Sequence, residues 1–219
     1  MANEFEIHRA VKKLRTVVKD LPKAALFNLF DQGYTSLFEQ LIACIISIRT
    51  YDEVTVLTSI RLFSQARTSA KIAQLSAEEI NALISDSTYH EAKSHQIKAI
   101  AEQIQNDFQG ELPADFDVLT SFKGVGPKCA SLALGIATGQ ARIGVDIHVH
   151  RVTNRWGYVQ AKTPEKTVEA LEQKLPKEYW VEINRLLVPF GKHICQGSYP
   201  QCLYCALQEL CPKVGISKA

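Results

Sequence analysis

The chain has 219 residues, 46% of them apolar, with a net charge of only +2. That length allows one large or two small domains, and that apolar share is ample for a core. So small a net charge excludes a global positive field as the basis of any partner choice. The N-terminus is charged and has no apolar core segment, so no export signal is expected, and no apolar run is long enough to span a bilayer. With no export signal, the six cysteines are not expected to pair as disulfides.

From Phe5 to Val18, apolar residues recur at roughly helical spacing, and Leu21-Pro22 ends the run. The stretch from His8 to Lys23 carries Arg9, Lys12, Lys13, Arg15, Lys19 and Lys23 against a single acid, Asp20. It reads as a basic helix face, either solvated or turned towards nucleic acid. Ser36 with Glu39 forms a capping box that opens a helix from Leu37 to Ile48. That helix is apolar on most sides and is expected to be central and buried. Thr50 with Glu53 suggests a second box, starting a helix from Val54 to Phe63. Ser76 with Glu79 starts a short helix ending at Ile84. Lys93 to Phe108 carries Ile97, Ile100, Ala101, Ile104 and Phe108 on one stripe, and Gly110 to Pro113 breaks it.

Phe116 to Phe122 forms a short helix leading into Gly124-Val125-Gly126, then Pro127 and Lys128. Two glycines two apart can take backbone angles closed to other residues. Pro127 suits the first turn of a helix, which runs on to Gly139. The turn amides at that positive helix end would suit a phosphate. Lys128 stands in the first turn of its own helix, where the dipole disfavours a cation. That repulsion favours the neutral amine a nucleophile needs. Asp146 lies eighteen residues later and precedes a periodic run, so it reads as a helix N-cap. Lys128 as nucleophile with Asp146 as charge partner competes here with a solvated lysine and an ordinary cap.

The helix after Asp146 stops at Gly157. Thr163-Pro164 caps the next, Val168 to Leu175, Pro176 breaks it, and Trp180 to Phe190 is the last long helix. No strand-like alternation of useful length occurs, so the fold class is all-α. Cys195, Cys202, Cys205 and Cys211 fall within 17 residues, spaced C-x6-C-x2-C-x5-C. Four thiolates so close in a loop-rich tail can surround zinc or a [4Fe–4S] cluster. The unequal arms around one C-x-x-C pair suit the larger cubane better. Cys44 and Cys129 lie within helices and read as small core residues.

A Gly-Val-Gly-Pro-Lys hairpin, then Val-Asp-Ile-His, then this cysteine pattern resembles the endonuclease III family of DNA glycosylases, from about Phe38 to Pro212. The resemblance implies two all-α domains in a helix–hairpin–helix glycosylase fold. One is a helical barrel over residues 28–140, with the hairpin at 116–137. The other is discontinuous, joining residues 1–27 to 141–219, and holds a structural [4Fe–4S] cluster on the four cysteines. Lys128 matches the family's catalytic lysine and Asp146 its catalytic aspartate. The implied activity is removal of oxidised pyrimidines flipped from double-stranded DNA, through a lysine Schiff base, with β-elimination at the abasic site. A monomer associated with the nucleoid in the cytoplasm is the expected form.

The chain also departs from the family pattern. Arg49 stands where the family has a glutamine that fills the hole left by the flipped base. Ser87-Thr88-Tyr89-His90 stands where a glycine often precedes the lysine matching Lys93. Phe122-Lys123 replaces the usual Leu-Pro before the hairpin, and Lys123 adds a possible phosphate contact. Arg49, Lys93, Lys123, Gly124, Val125, Gly126 and His148 are the expected DNA contacts, with a satisfied buried histidine as the other reading of His148. Two rivals remain. A mismatch-type adenine glycosylase usually lacks the lysine and carries an extra C-terminal domain. A non-catalytic DNA-binding or redox module would keep the fold without the chemistry.

Overall fold

The computed structural model describes residues 5–216, and within them the chain forms helices and turns with no strand. Twelve α-helices occur among the described residues: α1 (Ile7–Val17), α2 (Ala25–Asp31), α3 (Leu37–Ser47), α4 (Asp52–Gln65), α5 (Ser69–Gln74), α6 (Ala77–Ile84), α7 (His90–Phe108), α8 (Phe116–Ser121), α9 (Pro127–Thr138), α10 (Ile147–Arg155), α11 (Pro164–Lys174) and α12 (Glu182–His193). None is long and apolar enough to cross a membrane.

The chain divides into two compact units, one from Ala25 to Arg142 and one joining the residues up to Ala24 to those from Ile143 onward. The first boundary falls before α2, a helix too short and too weakly periodic to be foreseen from the sequence. The same holds for α5, of six residues.

In the unit from Ala25 to Arg142, α3 is the hub, packing against α2, α4, α7 and α9. Every residue from Phe38 to Ile46 is buried, as expected of a helix apolar all round. Its start is fixed by the predicted capping box. Ser36 Oγ accepts the Glu39 amide, and the Glu39 carboxylate accepts the Ser36 amide at 2.9 Å. Glu39 is itself buried, and the Arg67 guanidinium pairs with it, as a buried carboxylate requires.

The expected box of Thr50 and Glu53 does not form. α4 begins at Asp52, and its cap residue Tyr51 makes no side-chain cap bond. The Thr50 hydroxyl is engaged elsewhere, as described below.

In the other unit, α1 and α10 both pack on α12. Phe5 stacks on Trp156 at 4.8 Å, over a core that includes Leu14, Val149, Val152, Ile183, Leu187 and Phe190. Much of the basic charge of α1 is used inside this unit. Arg15 makes a two-pronged pair with Glu182, Arg9 pairs with Glu6 and Glu209, and Lys13 donates to the Ala206 carbonyl.

Candidate active site and cysteine centre

The helix–hairpin–helix is built by α8 packing on α9 across residues 122–126. Phe122 and Val125 are buried and anchor the turn, while Lys123, Gly124, Gly126, Pro127 and Lys128 face solvent. The Val125 amide donates to the Phe122 carbonyl at 3.0 Å, so this one amide of the turn is directed inward, against expectation.

The two glycines differ in their need. Gly124 has φ +81°, the left-handed region that favours glycine, and a Cβ there would come within 2.7 Å of Gln96 Nε2. Gln96 is the brace of the turn, its side-chain amide donating to the Lys123 carbonyl at 2.9 Å. Nothing in the sequence marks this glutamine, because its role depends on α7 lying under the hairpin. Gly126, by contrast, is extended at φ −88° and ψ 169°, and a Cβ there would meet nothing. Its lack of a side chain therefore serves neither the backbone nor internal packing. It leaves the first turn of α9 without a side-chain cap and open to an external acceptor.

Lys128 follows Pro127 in this first turn and is exposed. Cys129, the next residue on α9, and Cys44 on α3 are both buried. The interaction between the two thiols and the nearby Lys128 charge lower the Cys44 pKa, while the same interaction and burial push Cys129 up.

Asp146 is the N-cap of α10, as expected. One carboxylate oxygen, Oδ1, accepts the amides of His148 and Val149, both at 2.9 Å. His148 is half-buried, with Nδ1 3.0 Å from Arg151 Nη2. A guanidinium only donates, so Nδ1 accepts and the ring proton sits on Nε2. Burial lowers the His148 pKa; the Asp146 carboxylate opposes this, while Arg151 and Lys192 reinforce it.

Among the other expected DNA contacts, Arg49 and Lys123 are exposed. Arg49 is left-handed at φ +56°. Tyr89, in the stretch where the family often has a glycine, is also left-handed at φ +58° and 59% exposed. Lys93 is placed otherwise. It is 4% exposed, and its ammonium donates to the Ile46 carbonyl at 2.7 Å, the Ile48 carbonyl at 2.8 Å and Thr50 Oγ1 at 3.1 Å. An ammonium held by three internal acceptors has no proton left for a phosphate. Burial lowers its pKa to about 8.

Cys195, Cys202, Cys205 and Cys211 line one common cavity, together with Trp156, Phe190 and Pro200. The sulfurs face donors. Arg155 Nη1 lies 3.4 Å from Cys195 Sγ, the Leu207 amide 3.4 Å from Cys205 Sγ, and the Lys213 amide 3.4 Å from Cys211 Sγ. Arg155, which sequence reading passed over, also donates to the carbonyls of Gln196 and Gly197 and so ties α10 to the cysteine loop. Among the described residues, no three His, Cys, Asp or Glu side chains are gathered closely enough to hold a single metal ion. Burial raises the Cys205 and Cys211 thiols above their ordinary range.

Residues 42–177 match the HhH-GPD superfamily of base excision DNA repair proteins, and the chain belongs to that superfamily. Within it, the chain is a member of the endonuclease III family. It is 34% identical over 197 residues to endonuclease III of Thermotoga maritima, covering 90% of this chain and 89% of that protein. It is 38% identical over 178 residues to endonuclease III-like protein 1 of Bos taurus, where it spans 80% of this chain but 58% of the relative. Among solved structures it is similar to endonuclease III in a non-covalent DNA complex and in a trapped covalent DNA intermediate. Both have a TM-score of 0.81 and 26% identity, over 97% of each chain.

Proposed function

We propose that this protein is a bifunctional base excision repair enzyme, a DNA glycosylase with abasic-site lyase activity, and that Lys128 and Asp146 carry the chemistry. The observation that supports this most directly is Lys128 itself. It is an exposed amine in the first turn of α9, two residues after a glycine whose missing side chain leaves the helix end open.

The substrate is double-stranded DNA bearing a damaged base or an abasic site. The base is flipped out, because the sugar carbon cannot be reached within the stack. The neutral Lys128 amine attacks C1′, the N-glycosidic bond breaks, and the base leaves with the bonding electrons and takes up a proton. The Asp146 carboxylate stabilises positive charge developing on the sugar. One of its oxygens is held by two amides, so the carboxylate is fixed in orientation before substrate arrives. The C1′–O4′ bond of the sugar then opens, O4′ takes up a proton, and C1′ becomes a Schiff base with the Lys128 nitrogen, which acidifies the C2′ proton. Loss of that proton expels the 3′ phosphate and cuts the strand. Oxidised pyrimidines are the proposed substrates, in keeping with the family resemblance.

Lys123, the Gly124–Gly126 turn and His148 Nε2 are the proposed phosphate contacts. Arg49 takes the place of the family glutamine beside the orphan base. It is longer and charged, so it changes the preference for the opposite base.

The four cysteines are the proposed ligands of a [4Fe–4S] cluster, which supplies structural support to the loop. Their shared cavity, with donors aimed at the sulfurs, fits a set of thiolate ligands. The protein is proposed to act as a monomer in the cytoplasm, on the nucleoid.

Borohydride trapping on a thymine-glycol duplex and on an abasic duplex tests the reading. A covalent adduct is expected with the wild type and none with Lys128→Ala. Binding without any adduct in the wild type would leave a non-catalytic DNA-binding module.

A further inference from the structure

The corner between α3 and α4 is held by a cation supplied from α7. Lys93 reaches beneath it and donates to two carbonyls at the end of α3, those of Ile46 and Ile48, and to Thr50 Oγ1. Thr50 Oγ1 also accepts the Thr88 amide at 3.1 Å, which ties in the loop before α7. Arg49 lies between the two clamped residues, Ile48 and Thr50, exposed and left-handed at φ +56°.

Each part of this arrangement is costly. A non-glycine residue in the left-handed region is strained and persists only where its surroundings over-determine it. A buried ammonium loses its hydration, and burial lowers the Lys93 pKa. Its bond to the Ile46 carbonyl is buried and satisfies the helix end, while its two further bonds, to Ile48 and Thr50, reach out to the part-buried corner. What the clamp adds is a single backbone conformation at Arg49.

We infer that Lys93 is a positioning residue: its ammonium, with Thr50 Oγ1, holds the Ile48–Thr50 corner so that Arg49 is presented to damaged DNA in one fixed orientation. This rests on the proposal above that Arg49 engages the DNA.

The test is a double-mutant cycle read as the Kd for a duplex containing a tetrahydrofuran abasic analogue, which the enzyme cannot cleave. The proteins are wild type, Arg49→Ala, Lys93→Met, Thr50→Val and Thr50→Ser, and the first two replacements of the clamp combined with Arg49→Ala. Arg49→Ala is expected to weaken binding about tenfold, about 1.4 kcal/mol. Lys93→Met and Thr50→Val are expected to weaken it by a similar factor in the presence of Arg49 and to add nothing in its absence. Thr50→Ser, which keeps the hydroxyl, is expected to bind as wild type.

Losses from Lys93→Met and Thr50→Val that are the same with and without Arg49 would overturn the proposal. So would wild-type binding by both variants while Arg49→Ala binds weakly. Wild-type binding by Arg49→Ala would instead remove the reading of Arg49, and the proposal with it. If Lys93→Met does not fold, Thr50→Val and Thr50→Ser decide the question, because that position is partly exposed.

Discussion

Gly124 and Gly126 look alike in the sequence and do different work. Gly124 needs its left-handed backbone and has Gln96 where a Cβ would lie. Gly124→Ala is expected to destabilise the protein by about 1 to 3 kcal/mol, measured by urea unfolding. Gly126 is extended and open, at a helix N-cap position where serine is favoured. Gly126→Ser is therefore expected to keep or slightly raise stability while weakening duplex binding, because the new side chain stands where a phosphate would approach. Lys93 gives a second prediction at this scale. Its pKa is about 8 in the folded chain against 10.5 for an ordinary lysine. Between those values the unfolded chain holds a proton that the folded chain has released. Stability therefore gains from this group as pH rises from about 8 to about 10.5. The wild type should show a larger gain across that window than Lys93→Met, measured by denaturant unfolding at fixed pH steps.

At the scale of the element, α10 shows one side chain serving both fold and chemistry. Asp146 caps the helix by accepting two amides through one oxygen. Asparagine caps about as well as aspartate but carries no charge. Asp146→Asn is thus expected to change stability by only a few tenths of a kcal/mol, while single-turnover base release falls at least about a hundredfold. An equal loss in both measurements would reduce Asp146 to a cap. The capping box on α3 was readable from Ser36 and Glu39, because both partners lie within one turn. The box expected at Thr50 and Glu53 failed because the Thr50 hydroxyl is taken by Lys93 and Thr88, residues some forty positions away.

For the whole molecule, the cysteine loop ties the end of the chain to its start and its middle. Lys13 on α1 donates into the loop at Ala206, and Arg155 on α10 donates to the Gln196 and Gly197 carbonyls. Purified protein is expected to contain iron and acid-labile sulfide in equal amounts. Cys202→Ser should lower both and reduce the melting temperature, because a cluster bound only by the folded state stabilises it. Zinc in place of iron would replace the cubane with a simple tetrahedral site.

What the sequence decides alone is what neighbours in the chain decide: where helices start, the hairpin with its proline and lysine, the aspartate cap, and four cysteines close enough to share a centre. Those features depend on spacing within a turn or a loop, and spacing is written in the chain. Tertiary structure decided the rest. It buried Lys93 under a helix end, left Arg49 and Tyr89 in left-handed backbone, placed Gln96 under the hairpin, and gave Arg9, Lys13 and Arg15 of α1 partners within their own unit. Each of these depends on which side chain comes to lie beside which carbonyl or carboxylate once distant helices pack, and no local pattern records that.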